Sequence, residues 1–347
     1  MKNFRSYAPR LLAALILLTA VWLGWTPDTA FGLAPFVLLA VAPFPYSPEY
    51  TAIAIAYRNE EFIADGVAPY VPVGSKLFRY LKYKLAEGFT LPDTRVGRKS
   101  QPNEVEFSAT ETEATAEDFG LDDPVPQDDI DTAPPGHDPL GAAVEGVTNL
   151  VLLDREKRVA DLVFDDTQYA AANKVTLSGT SQWSDFTNSN PISDILTGLD
   201  ACVMRPNVMV IGRAVWTKLI QHPKIVKATY GDNTDAGIAR KRDVAELFEL
   251  EEILVGQTWV NTAKKGQAVS LARVWGKHVT LFRRDKTATN RRGITFAFTA
   301  RFGTRVAGSM ADSKIGLRGG QRVRAGESVK EVITANDLGY HIKNAVA

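Results

Sequence analysis

One cysteine in 347 residues, Cys202, rules out an intrachain disulfide and any multi-cysteine metal site. A chain so poor in thiols was not built for an oxidising compartment, and Cys202 reads as a small buried apolar residue near the end of a helix. Histidine is almost as scarce. His137, His222, His278 and His341 lie far apart, none in a metal-ligand spacing such as H-E-x-x-H, and each reads as a surface or turn residue. The motifs G-x-S-x-G, G-x-G-x-x-G and the Walker loop are missing. Net charge is missing too: 40 Lys and Arg balance 40 Asp and Glu, without the basic excess of proteins dedicated to gripping phosphate. These absences argue against catalysis, against a cofactor and against a metal. They leave a chain long enough for one or two cores.

What is present begins with an unusual N-terminus. Lys2, Arg5 and Arg10 precede an uncharged run from Leu11 to Pro27, and after Asp28 a second uncharged run reaches Pro48, broken by Pro35, Pro43 and Pro45. Two readings stay open. The layout is that of a signal peptide or membrane anchor. The reading that the rest of the chain favours is that residues 1–42 are an apolar extension outside the folded part, or come from a start placed too far upstream, and that a membrane is not a partner.

From Lys76 to Leu85 the sequence KLFRYLKYKL puts Leu77, Arg79, Leu81 and Tyr83 on one parity and Phe78, Tyr80, Lys82 and Lys84 on the other, as in a strand with both faces partly covered. Gly88, Pro92, Gly97 and Pro102 forbid a regular helix over 86–103. Strict alternation returns over Glu104–Glu117, where Val105, Phe107 and Ala109 face away from Glu104, Glu106 and Ser108. The expectation is a long two-stranded hairpin with a basic tip, too thin to be stable without a surface to lie on.

The stretch 117–138 is acidic and Pro-rich. Its carboxylates do not follow the spacing of an EF-hand loop, so it reads as a solvated connector and not as a calcium site. A helix is expected from Pro139 to about Tyr169: Val144, Val147, Leu150, Val151, Val159, Leu162 and Val163 recur at three- and four-residue steps, with Arg155, Lys157 and Arg158 between them. About 30 residues would span roughly 45 Å, which suits a spine.

Beyond it, Asn190-Pro191 marks a helix start, VMVIG after Pro206-Asn207 a short buried strand, and further helices are expected before Pro223 and over 239–250. EILVG, AVSLARVWG, HVTLFRR and ITFAFTARFG read as strands. The turn Asn336-Asp337-Leu338-Gly339 would fold the last two segments into a hairpin. The alternation implies an α+β fold with a mixed sheet covered by helices.

In this order the pieces resemble the major capsid proteins of tailed phages with the Hong Kong 97-type fold. The stretches that carry the likeness are Tyr50–Asn59, Phe78–Glu111, Pro206–Ile225 and Glu327–Val346, and it spans Pro43 to Ala347. The resemblance implies an N-terminal arm (43–75), an extended-loop hairpin (76–117), an acidic connector with spine helix and peripheral region (118–190), and an axial domain whose strands return to the peripheral sheet (191–347). Residues 1–42 depart from the charged scaffolding region that some relatives carry, which implies a separate scaffold protein.

The function implied is self-assembly, as pentamers and hexamers, into the head of a virion in the host cytoplasm. Portal, scaffold and decoration proteins would be partners, and the shell would touch packaged double-stranded DNA weakly and without sequence preference. The basic pairs Lys264-Lys265, Arg283-Arg284 and Arg291-Arg292 are candidates for that contact, or are solvated loops. The hairpin tip, with Phe89, Arg95, Arg98 and Lys99, is the expected contact with a neighbouring subunit, on a surface formed by Asp122, Asp123, Asp128, Asp129 and Asp131. The alternatives are an encapsulin-like shell that encloses protein cargo, and a membrane-anchored or secreted binding protein resting only on residues 1–42.

Overall fold

The computed structural model describes residues 44–57, 59–83, 91–104, 109–231, 236–264 and 266–347. The apolar extension over 1–42, Phe89 and Lys265 lie outside the described residues.

A single long helix organises the rest. Helix α4 (Pro139–Val163) follows two short ones, α1 (Pro48–Ala56) and α2 (Ala64–Val67), in the arm, and α3 (Gln127–Asp131) just before it. Asp138 caps α4 by accepting from the Leu140 N–H at 3.0 Å, and Pro139 occupies its first turn. Its buried residues include Val144, Val147, Thr148, Val151, Leu152, Arg155, Glu156, Val159, Ala160 and Val163, one stripe stepping by three and four. The helix is shorter than expected: 25 residues, about 37 Å. Asp165 stops it from reaching Tyr169 by accepting from the Thr167 N–H at 2.9 Å and the Thr167 hydroxyl at 2.7 Å, local bonds that compete with helix. Tyr169 then donates to the Val163 carbonyl at 2.6 Å, filling one of the acceptors that the helix end leaves open.

The first half of α4 packs on a four-stranded sheet of order β1-β11-β12-β4. Its strands are β1 (Tyr70–Val73), β4 (Glu117–Pro126), β11 (Ala297–Asp312) and β12 (Gly320–Ile333). β1 runs parallel to β11, and the other pairs are antiparallel. Between helix and sheet, Val144 and Val147 meet Val125, Ala307, Val323 and Ala325, with Ala54 of α1.

The acidic segment is therefore not a solvated connector: Glu117–Pro126 is the edge strand of this sheet and Gln127–Asp131 a short helix. Asp and Pro are poor strand residues. Here the partner strand offsets them, because Asp122 lies directly opposite Arg324 and takes two bonds from its guanidinium, at 2.6 and 2.7 Å.

The second half of α4 packs on a five-stranded sheet of order β5-β13-β10-β6-β7. It comprises β5 (Lys174–Thr176), β6 (Val208–Gly212), β7 (Glu252–Gly256), β10 (Val279–Phe282) and β13 (Gly339–Lys343). Every residue of β6 is buried, and the two-residue period divides them between two cores. Val208 and Val210 face the α4 side. Met209 and Ile211 face α5 (Pro191–Ala201), α6 (Arg213–Gln221), α7 (Pro223–Tyr230) and α8 (Lys241–Leu247), which contribute Ile195, Leu199, Leu219, Ile225 and Val244. Cys202 ends α5, buried as expected, and burial pushes its thiol up to about 12. A small pair, β8 (Trp259–Asn261) and β9 (Leu271–Arg273), stands beside this sheet.

The C-terminal hairpin expected around Asn336–Gly339 does not form. Both edges of β12 are taken, by β11 and β4, whereas β13 pairs with β10 and β5 in the other sheet. The turn carries the chain from one sheet to the other. Gly339 suits the crossing because a Cβ there would stand 2.5 Å from the Phe296 ring and 2.8 Å from the Tyr169 ring.

One histidine, His341, is neither at the surface nor in a turn, and His222, in the turn between α6 and α7, is nonetheless interior. His137 is exposed, but His222 and His341 are fully buried. His222 sits at the start of α7, where Nδ1 accepts from the Lys224 N–H at 3.2 Å. His341, in β13, stacks on Tyr169 and lies 3.1 Å from the Thr280 hydroxyl through Nδ1. Burial lowers the pKa of both to about 4.

In the second half of α4 two adjacent charged residues anchor three other segments of the chain. Arg155 donates to Asp65, to the Ala68 carbonyl at 3.0 Å and to the Thr299 hydroxyl at 3.1 Å, and its guanidinium lies 3.8 Å from the centre of the Tyr70 ring. Glu156 accepts from the Ile63 N–H at 3.0 Å, the Ala64 N–H at 2.8 Å and the Trp275 indole at 2.6 Å. Burial still pushes its carboxyl above the ordinary carboxylate value.

Glu156→Ala strands those three buried donors and is expected to cost about 3 kcal/mol, read by urea unfolding; a loss below about 1 kcal/mol would show that the anchor is dispensable. The buried histidines set an acid limit. A histidine whose folded pKa is depressed contributes stability above its unfolded pKa, and that contribution is lost as pH falls through the folded one. Stability should therefore drop between pH 6.5 and about 4. His341→Gln should remove on the order of 3 kcal/mol of that drop, and an unchanged acid limb in urea titrations at each pH would refute the assignment.

Candidate interaction surface

The hairpin expected from the alternation is present, as β2 (Leu77–Tyr83) paired antiparallel with β3 (Ala109–Thr115). Its two faces differ. Phe78 and Tyr80 are buried against Phe298, Ala300 and Val332 of the four-stranded sheet, with the Tyr80 and Phe298 rings edge to face. On the opposite parity Leu77 is exposed, and Arg79 reaches Glu113, directly across the ladder, at 2.6 Å and Glu111 at 3.4 Å.

The root of the hairpin is tied in two further ways. Lys76 pairs with Asp118 of β4. Asn290 takes the open edge of β2, its carbonyl accepting from the Leu81 N–H at 3.3 Å and its side chain donating to the Arg79 carbonyl at 3.2 Å. Both were missed by the sequence reading. The parity of Phe78 and Tyr80 was a usable signal for the buried face, while nothing local to residue 290 pointed to a strand edge over 200 residues away.

Past the ladder, residues 91–104 make no ion pair with the rest of the described chain. Residues 91–104 are exposed throughout. The loop closes on itself: the Asn103 amide donates to the Asp93 carbonyl at 2.7 Å, the Asp93 side chain accepts from the Arg95 N–H at 3.0 Å, and the Ser100 N–H bonds to the Gly97 carbonyl at 3.0 Å. Arg95, Arg98 and Lys99 are all here and make no ion pair with any described carboxylate. Beside them Leu91 is 91% exposed and Val96 51%.

The acidic residues expected to receive such a tip are partly spent within the subunit. Asp122 belongs to Arg324, whose hydrogen bonds hold its carboxyl below the usual range. Asp128 pairs with Arg318 at 3.0 Å. Asp131 accepts from the Gln127 amide at 2.8 Å. Asp123 and Asp129 carry no ion pair among the described residues, and both line a cavity of about 580 Å³ with Pro124, Pro126, Pro134 and His137.

The basic pairs resolve differently. Arg284 is buried, bonded to Glu252 at 2.6 Å and to the Gly66 carbonyl, and so faces no inner wall. Lys264, Arg291 and Arg292 are exposed. Among the described residues no cluster of His, Cys, Asp and Glu suits a metal ion, and no helix is long and apolar enough to cross a membrane.

Comparison with known proteins places most of the chain beside phage proteins. A family model described as phage major capsid protein E matches residues 141–270. The major capsid protein of Pseudomonas phage JBD67 is 58% identical over 306 residues, 88% of this chain and 99% of that protein. Among solved structures, a phage-related protein from Bordetella bronchiseptica RB50 superposes with a TM-score of 0.68 at 22% identity, covering 86% of this chain and 97% of its own. The capsid structure of Cyanophage P-SCSP1u gives a TM-score of 0.53 at 10% identity, covering 92% and 98%.

Removing the Phe78 side chain should free the hairpin while sparing the rest. Phe78→Ala is expected to make Arg79 and Lys82 susceptible to brief trypsin treatment of the free subunit. Cleavage no faster than in the parent would mean that the Tyr80 contact and the Asn290 edge suffice.

Proposed function

The chain belongs to the phage major capsid proteins, with the Hong Kong 97-type fold, and from that premise we propose that its hairpin is the arm by which one subunit grips the next. The protein is a structural subunit of the phage capsid and assembles with copies of itself into the shell of the virion. Likeness to shells at 10% identity speaks only for the fold, which an encapsulin would share. The 58% identity to a phage capsid protein is what favours a phage head.

The observation that carries the docking reading is the tip. Three cations that make no ion pair with a described residue and two exposed apolar side chains stand on a hairpin whose root is fixed by packing, an ion pair and a captured edge. In a shell every subunit repeats the same contact, so weak contacts accumulate. Each exposed charge pair contributes only ~0–1 kcal/mol. The receiving surface is narrower than the whole acidic run: Asp123 and Asp129, at the cavity between β4 and the start of α4, keep charge to offer, with Asp131 beside them. Phe89 remains a candidate contact of the same tip.

Further parts of the reading follow from capsid function. Pentamers and hexamers are the units of closure, with portal, decoration and a separate scaffold protein as partners. Exposed Lys264, Arg291 and Arg292 are the candidates for weak, salt-dependent contact with packaged double-stranded DNA, and Arg284 leaves that set. Shell building, and not catalysis, is the activity. Residues 1–42 are dispensable for it.

The test is negative-stain electron microscopy of three proteins made alike: the full chain, the chain from Pro43 onward, and the full chain with Arg95→Glu, Arg98→Glu and Lys99→Glu. The first two should form closed shells or rings of five and six, and the third should lose at least most of them. Normal assembly of the charge-reversed chain would refute docking through these cations. Recovery of shells on adding Asp123→Lys and Asp129→Lys to it would identify the receiving surface.

A further inference from the structure

A cleft of about 740 Å³ opens between the arm, α4 and β11, well away from the hairpin tip. Three guanidinium groups line it, from Arg155, Arg301 and Arg305. Two of them are answered. Arg155 holds Asp65, and Arg305 stands 3.4 Å from Glu327 while donating to the Ala54 carbonyl at 2.6 Å. Arg301 has no carboxylate among the described residues; its guanidinium lies 4.5 Å from the centre of the Tyr70 ring, which Arg155 also covers.

The nitrogen inventory sharpens the imbalance. The Nε atoms of all three arginines are buried without a hydrogen-bond acceptor, and Arg155 and Arg305 are 2% and 7% exposed. An unpartnered buried N–H carries the full desolvation penalty. The Nε groups of Arg155 and Arg301 have no acceptor among the described residues, and that of Arg305 has only the Glu327 carboxylate, 3.4 Å away and out of hydrogen-bond geometry. The carboxylates already in place do not close the account, since Glu327 is committed to Arg305 and the Tyr70 hydroxyl, and Glu156 to backbone and indole donors. Glu60, on the rim, is exposed and makes no ion pair with a described residue.

We propose that this cleft is an oxyanion site, in which Arg301, backed by Arg155 and Arg305, takes one carboxylate- or phosphate-type group. A planar fork beside an aromatic ring suits such a group, and suits it better than a lysine would. Two sources have the right chemistry: a free anion, or an acidic side chain of a second copy of this chain seated in the shell. The site does not depend on the docking role of the hairpin tip.

The test is thermal unfolding of the full-length subunit, titrated with inorganic phosphate against chloride at constant ionic strength, for the parent, Arg301→Gln and Arg301→Lys. Phosphate should raise the parent's melting temperature by several degrees, Arg301→Gln should abolish the rise, and Arg301→Lys should keep part of it. Equal shifts in the parent and Arg301→Gln would mean general exclusion of phosphate from the protein surface and would overturn the proposal; so would no shift in either.

Assembled particles separate the sources. With a free anion, particles respond to phosphate as subunits do. With a neighbour's carboxylate, particles ignore phosphate, and Arg301→Gln lowers their melting temperature more than that of the free subunit. Failure of the tip variants to affect assembly would sink the docking reading and leave this result untouched.

Discussion

Most of the described structure hangs on two neighbouring residues of one helix turn, Arg155 and Glu156. They point from the buried stripe of α4 in directions about 100° apart, and so reach different segments: Arg155 the end of the arm and β11, Glu156 the start of α2 and the Trp275 indole. Buried charge is costly. Here almost every lone pair and most N–H groups are met, and the three segments they meet, around residues 63–70, Trp275 and Thr299, are far apart in sequence. An apolar pair of the same volume would pack without choosing among registers, whereas charges that need particular partners fix how the arm lies along the helix. The arm in turn carries Tyr70 into β1, which lines up on β11.

That rigidity gives the hairpin its meaning. A two-stranded ribbon has too little core to stand alone, and its root is built as an exception, with Phe78 and Tyr80 sunk into the sheet and the open edge of β2 captured by Asn290. Residues 91–104 thus belong to a hairpin with a fixed base, and a fixed base suits the repeated contact in a closed shell that we propose for them. The edge strand β4 is defended in a similar spirit. Prolines 124 and 126 and a row of carboxylates discourage another strand from pairing there, while Arg324, Lys330 and Lys76 neutralise Asp122, Glu117 and Asp118 from within.

Intramolecular pairing of this kind explains why a charge run in a sequence overstates a docking surface. Five aspartates between 122 and 131 look equivalent in one dimension. Strand register places Asp122 opposite an arginine two hundred residues later, and a turn brings Arg318 to Asp128. What remains for a partner is whatever the fold has not already used. The same logic removes Arg284 from the inner wall and leaves Arg291 and Arg292 on the surface.

By itself the sequence determined the local elements: the start of α4 at Pro139, the hairpin from the alternation around 76–117, the buried strand Val208–Gly212, and, through several stretches in the right order, the family. Each of those signals lives within a helix turn or a strand period, where neighbours in sequence are neighbours in space. Only the tertiary structure decided which strands share a sheet. The last two strands look like a hairpin but part company, because β12 had no free edge left and β13 found one on β10. It also decided that His222 and His341 are interior, that 117–126 is a strand, and that Arg155 and Glu156 belong to the core and not to a solvated face. These were illegible for one reason: a polar residue is buried, or drawn into a sheet, only where distant residues supply its hydrogen bonds, and the chain's order does not say which distant residues those are.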